Sequence, residues 1–210
     1  MTPRTTERFT IGGPAGALEI VLNVPEKTPR GIALCAHPHP LQGGTLDNKV
    51  VQTLAKTFFA MDYVATRFNF RGVGKSEGAF DEGVGETADA LAALAHARSR
   101  FGELPIALAG FSFGSYVQTR VAASVVAERL VLVGPAVQRF AMASVPPDTI
   151  VVHGEEDDVV PLAAVLAWAR PQQLPLVVFP GCGHFFHGHL PQLQRTISAL
   201  WQGYAMAPGA

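Results

Sequence analysis

Apolar residues in this chain gather in short, nearly uninterrupted runs, and between the runs they recur at helical spacing. The runs over Gly31–Ala36 and residues 63–70, 105–109, 129–135, 149–154 and 174–179 are too short for helices, so each is read as a buried strand. Helical spacing links Val50, Val51, Leu54, Phe58 and Phe59 in a segment capped by Thr45 or Asp47. It also predicts an alanine-rich helix over about 86–100 and further helices over 115–126, 162–169 and about 191–201. Residues 7–24 carry two β-rich pieces around Gly12-Gly13-Pro14-Ala15-Gly16, a hairpin suited to a sheet edge. Residues 25–30 read as a loop and 203–210 as a loose tail.

Strands that alternate with helices, and are apolar on both faces, imply a mostly parallel sheet covered by helices on each side. Ligands then bind outside the carboxyl ends of the strands. Composition agrees with one compact domain over residues 1–210, since 48% of the chain is hydrophobic and only 16% charged. A net charge of −1 gives no reason to expect a nucleic-acid or anionic-membrane partner. The first residues lack the apolar core of a signal peptide, and no apolar run reaches the roughly 18 residues of a membrane helix. Cys35 and Cys182 make no disulfide framework, and the cytoplasm is the expected location.

Candidate chemistry collects at the predicted strand ends. Gly110-Phe111-Ser112-Phe113-Gly114 fits G-x-S-x-G between a predicted strand and a predicted helix. Glycines without Cβ let the two elements cross beneath a serine held in a strained turn, which presents its oxygen at the sheet edge. A serine hydroxyl needs a base, and the base needs an orienting acid. Among His37, His39, His96, His153, His184, His187 and His189, the best-placed base is His184, after the last strand in the turn Gly181-Cys182-Gly183-His184. The acid belongs to Glu155-Glu156-Asp157-Asp158, again just past a strand, and the run itself does not single one out.

Serine, then acid, then histidine is the chain order of the α/β-hydrolase triad. In that order, and over nearly the whole chain, the sequence resembles small bacterial serine α/β-hydrolases, near the dienelactone-hydrolase-like group with a His-Pro-His-Pro motif, here His37-Pro38-His39-Pro40. The resemblance implies an α/β-hydrolase fold with a mostly parallel central sheet and helices on both faces. Its H-G-x-x-D-x-x-V-P turn matches His153-Gly154-Glu155-Glu156-Asp157-Asp158-Val159-Val160-Pro161 and implies Asp157 as the acid. Dienelactone hydrolases proper use a cysteine nucleophile, so their substrate does not carry over to Ser112. The oxyanion hole needs two backbone N–H groups, one from Phe113 after the nucleophile. Pro38 and Pro40 have none to give, which leaves His39 at the family's position and Leu41 as the fallback.

Other patterns weigh less. Gly72-Val73-Gly74-Lys75-Ser76 ends like a phosphate-binding loop, but Asn69 stands where the first glycine belongs, and the hydrolase family commonly carries R-G-x-G-x-S at this place. The histidines lack metal-binding spacing, and no elbow presents Cys182. Leu41, Phe111, Val160 and Phe185 are candidate pocket walls, with Phe113, Phe140, Met142 and Phe186 in the same neighbourhood. The interval 135–148 is hardly longer than the dozen or so residues of a parallel crossover, so no cap or lid domain is expected. The expectation is a serine hydrolase acting on a small-molecule ester or thioester through an acyl-enzyme, with no cofactor or metal. A small peptidase or amidase with the same triad, or a non-catalytic binding protein on the hydrolase scaffold, is the alternative.

Overall fold

A computed structural model describes residues 5–205. Eight strands form one sheet: β1 (Thr5–Gly13), β2 (Gly16–Val24), β3 (Gly31–Ala36), β4 (Tyr63–Phe68), β5 (Ile106–Phe111), β6 (Arg129–Val133), β7 (Ile150–Gly154) and β8 (Leu176–Phe179). Their order across the sheet is β1-β2-β4-β3-β5-β6-β7-β8. The edge hairpin β1–β2 is antiparallel and joins β4 antiparallel, whereas every pairing from β4 to β8 is parallel. The described residues also form five α-helices: α1 (Lys49–Phe59), α2 (Val84–Phe101), α3 (Phe113–Ala122), α4 (Leu162–Ala169) and α5 (Leu190–Ala205).

Strands β3, β4, β5 and β7 are buried along their whole length because both their faces are covered, whereas three of the four residues of the edge strand β8 are half-buried. Along β3, Ala33 and Cys35 point into a core shared with Val50, Leu54 and Phe58 of α1 and Leu193, Ile197 and Trp201 of α5. Ile32, Leu34 and Ala36 point the other way, onto Ala90, Ala93 and Leu94 of α2 and Val117 and Val121 of α3. This is the expected α/β-hydrolase fold. Successive strands run from β3 outward to β4, then return to β5 on the other side of β3. Such a reversal opens a crevice at the carboxyl ends of the two strands that flank it, here β3 and β5.

Several boundaries differ from the sequence reading. Asn48, not Thr45 or Asp47, caps α1: its side chain accepts from the N–H groups of Val50 at 2.9 Å and Val51 at 3.4 Å. Asp47 instead accepts from the guanidinium of Arg8 at 2.8 Å. Helix α3 begins at Phe113 and ends at Ala122, earlier at both ends than expected, because the turn at Ser112 feeds straight into it. Helix α5 runs on to Ala205, so residues 203–205 are helical and not tail; residues 206–210 of the expected tail lie outside the described residues. No described helix is long and apolar enough to cross a membrane. The segment 135–148 forms no helix or strand of its own, and its Phe140 ring stacks on Tyr116 of α3 at 4.8 Å.

The loop that resembles a phosphate site is an internal clasp. Ser76 Oγ donates to the Asn69 carbonyl at 2.7 Å and accepts from the Glu19 N–H at 2.9 Å. The Lys75 N–H donates to the buried Glu19 carboxylate at 2.9 Å. Those bonds spend the loop's polar groups on tying β2 to the end of β4.

Candidate active site

Ser112 stands between β5 and α3 at φ 54° and ψ −117°, in the left-handed region where a side chain is strained. The sequence around it makes that conformation possible. A Cβ on Gly110 would run into the Gly114 backbone, and one on Gly114 into the carbonyls of Ala36 and His37. The Ser112 N–H donates to the Val133 carbonyl at 2.9 Å, which ties the turn to the end of β6. Phe111 and Phe113, one residue to either side, anchor in opposite cores of the sheet. Ser112 is thereby held from both faces. Its side chain takes no part in capping α3.

His184 follows β8, and its Nδ1 lies 2.7 Å from Asp157 Oδ2. A carboxylate only accepts, so the Nδ1 proton faces Asp157 and the Nε2 lone pair is left free. Of the four acidic residues in the turn, only Asp157 is buried. Its Oδ1 accepts from the N–H groups of Val159 at 3.0 Å and Val160 at 2.7 Å. Burial pushes this carboxyl up, but the bonds from His184 and Val160, with the electrostatic pull of the neighbouring histidines, hold the group below the usual carboxylate range. Asp157 is therefore ionised wherever the protein is at neutral pH.

The acid turn and the histidine turn are sewn together. Glu156 N–H donates to the Cys182 carbonyl at 3.0 Å, and Gly181 N–H to the Glu155 carboxylate at 2.9 Å. Gly154 packs so closely on the Cys182 carbonyl that a Cβ would collide with it. Cys182 itself is buried, and burial, with Asp157 nearby, pushes its thiol up. That favours a packed thiol over a thiolate.

The sequence reading missed Gly134. It directly follows β6 at φ 51°, and a Cβ there would lie 3.3 Å from both the His184 Cε1 and the Phe111 ring. Ser112, through Val133, and His184, through Gly134, thus flank the same strand end. The signal was present as a glycine closing an apolar run before Pro135.

In the loop after β3, His39 caps a 3₁₀ turn, Pro40–Gln42, with Nδ1 accepting the Leu41 N–H at 3.2 Å. Leu41's N–H is engaged there, whereas among the described residues those of His39 and Phe113 donate to no protein group. The His39 ring lies 5.2 Å from the Phe113 ring. Of the candidate wall residues, Leu41 and Phe185 are exposed, while Phe111, Val160, Phe113 and Phe186 are buried. Phe111 lies under the His184 ring at 4.9 Å. Phe140 and Met142 are half-buried against the α2–α3 core.

His37 is structural. Its Nδ1 donates to the Pro38 carbonyl at 2.7 Å and its Nε2 accepts the Phe70 N–H at 3.0 Å, so it bridges the loops after β3 and β4. Burial drives its imidazole down to about 3. The unfolded chain takes up this proton first, near the ordinary value of about 6.5. The contribution is then fully present above about pH 6.5 and declines, by up to roughly 1.4 kcal/mol per pH unit, as pH falls towards 3. Urea unfolding at pH 7.5 and 5.0 should therefore show a smaller pH-dependent loss in His37→Asn than in the wild type, despite its lower overall stability. An equal loss would assign the acid sensitivity to other groups.

Comparison with known proteins agrees with this architecture. A family model described as "Serine aminopeptidase, S33" matches residues 41–148. A solved α/β serine hydrolase homologue from Coxiella burnetii is 40% identical, with 94% of this chain and 98% of that one covered and a TM-score of 0.85. XC6422 from Xanthomonas campestris, described as an α/β serine hydrolase without lid, is 35% identical, with 100% and 99% covered and a TM-score of 0.87. The uncharacterized protein RP471 from Rickettsia prowazekii is 39% identical over 145 residues. That match covers 66% of this chain and 55% of RP471, so the chain spans about half the length of that curated relative.

Proposed function

The chain belongs to the serine aminopeptidase S33 family of α/β serine hydrolases, and from that footing we propose that it cleaves a small carboxylic ester or thioester through an acyl-enzyme. One observation carries the reading: the strained Ser112 sits at the strand end against which the Asp157–His184 pair, 2.7 Å apart, is packed. In this mechanism Ser112 Oγ attacks the substrate's carbonyl carbon as His184 Nε2 takes its proton. The carbonyl π electrons move to oxygen, and the N–H groups of Phe113 and His39 stabilise the oxyanion. Phe113 is the first residue of α3, where the unpaired N–H groups of the helix start favour negative charge. Collapse expels the alcohol or thiol, which leaves with the proton from Nε2. Water then attacks the acyl-enzyme and gives a proton to His184; collapse of this second tetrahedral intermediate breaks the bond to Ser112 Oγ, which takes that proton back from Nε2, and releases the acid, while Asp157 stays ionised throughout. The chemistry uses no cofactor, and the cytoplasm remains the proposed location.

The family description favours one second reading, in which the same residues cleave an amide. A solution series of p-nitrophenyl esters of increasing acyl length, acyl thioesters and aminoacyl or peptide amides separates the two. The expected preference is for short or accessible acyl groups, because an open site cannot bury a long chain by closing over it. No rate jump should occur at an ester emulsion surface. Turnover confined to amides would move the assignment to a peptidase, and marked interfacial activation would mean that some segment closes as a lid.

A further inference from the structure

His153, the penultimate residue of β7, has no part in the proton transfers above, yet it touches the acid. The side chain is fully buried. Its Nε2 lies 2.8 Å from the Val160 carbonyl, which can only accept, so Nε2 carries the proton. The same Nε2 is 3.5 Å from Asp157 Oδ2. Val160 in turn donates its N–H to Asp157 Oδ1 at 2.7 Å, which closes a ring from imidazole to carbonyl to amide to carboxylate. On the far side, His153 Nδ1 is buried with no hydrogen-bond partner. A bare lone pair in the core costs free energy that a leucine of similar size would not incur, so simple core filling does not account for this residue. Burial also holds the imidazole below its ordinary range. It stays neutral, and it does not compete with His184 as a second cation for the carboxylate.

We propose that His153 is a positioning residue for the acid. Its neutral Nε2–H anchors Val160, whose N–H grips one oxygen of Asp157, and its positive end faces the other, so the carboxylate cannot rotate away from His184. The inference rests on the Ser112–His184–Asp157 reading. A carboxylate freed to rotate would hold the imidazole in its productive orientation only part of the time, which lowers kcat without touching substrate binding.

Steady-state kinetics on a p-nitrophenyl ester, with full-length His153→Leu, His153→Gln, Asp157→Asn and the double variant His153→Leu/Asp157→Asn, tests it. His153→Leu should lower kcat by roughly 10- to 100-fold with KM within about twofold. His153→Gln places an amide N–H where Nε2 was and should recover most of the loss. In the Asp157→Asn background, His153→Leu should cost less than about threefold, because a residue acting through the acid has nothing left to act on. If His153→Leu does not fold, His153→Asn, whose shorter amide leaves the Val160 carbonyl unpaired, carries the same expectations. Undiminished loss in the Asp157→Asn background, loss in KM alone, or no recovery in His153→Gln would overturn the proposal. If Asp157→Asn itself left kcat unchanged, the acid assignment would have failed first and this inference with it, a result distinct from additivity.

Discussion

Ser112→Ala leaves a folded protein whose turnover is lower by on the order of 10⁴-fold or more. The fold is retained because the strain at φ 54° belongs to the backbone, and alanine carries the same Cβ that serine already places there. Nothing in the elbow leans on the hydroxyl: the turn is held by the Ser112 N–H on Val133 and by the close packing of Gly110 and Gly114. Thermal unfolding midpoints of variant and wild type should agree within a few degrees. Activity collapses because attack on the carbonyl carbon has no other nucleophile of comparable placement. The thiol of Cys182 is buried, and burial pushes it away from the reactive thiolate. The residual rate should be that of the oxyanion donors and binding acting on water.

Two neighbouring aspartates should behave very differently. Asp157→Asn lowers kcat by roughly 10²- to 10⁴-fold, and Asp158→Asn changes it by less than about threefold. Asp157 is buried, grips two backbone N–H groups with one oxygen and meets His184 with the other, whereas Asp158 is exposed. An asparagine fits the space but is neutral. If its amide N–H₂ faces His184, the imidazole must carry its proton on Nε2, where it cannot accept from serine. If its oxygen faces His184, the imidazolium formed during attack loses its counter-charge. Steady-state kinetics on the two single variants decides the point, and the reverse ranking would transfer the role to Asp158.

The sequence made the fold legible where one rule acted alone. Apolar runs bounded by glycine and charge gave the parallel strands, because a strand covered on both faces has no polar alternation to mislead the reader. The hairpin over 7–24 was equally plain and sits at the sheet edge as β1–β2. Helix starts were less so. Thr45, Asp47 and Asn48 are all good caps by type, and only the structure shows that Asp47 is drawn off by Arg8, leaving Asn48 to hold the first turn. Helix α5 continues past Trp201, into the stretch expected as tail, because nothing in Gln202-Gly203-Tyr204 forces a stop.

At the site, motif context pointed to Ser112, His184 and Asp157, and the structure brings the latter two to 2.7 Å. What stayed hidden were residues that act through shape. Gly134 matters because of what a Cβ would strike, which depends on a histidine fifty positions away. His37, His39 and His153 look alike in sequence. One bridges two loops, one caps a turn with its side chain, and one faces the acid, a distinction that lies in which carbonyl or N–H each ring nitrogen meets.

The most direct test is covalent. A fluorophosphonate probe reacts with a serine only where a base takes its proton and an oxyanion hole receives the phosphoryl oxygen, so it samples the whole machinery without assuming a substrate. Intact-mass analysis of the wild type should show one probe per chain, peptide mapping should place it on Ser112, and Ser112→Ala should stay unlabelled. An unlabelled wild type, or a probe found on another residue, would contradict the account.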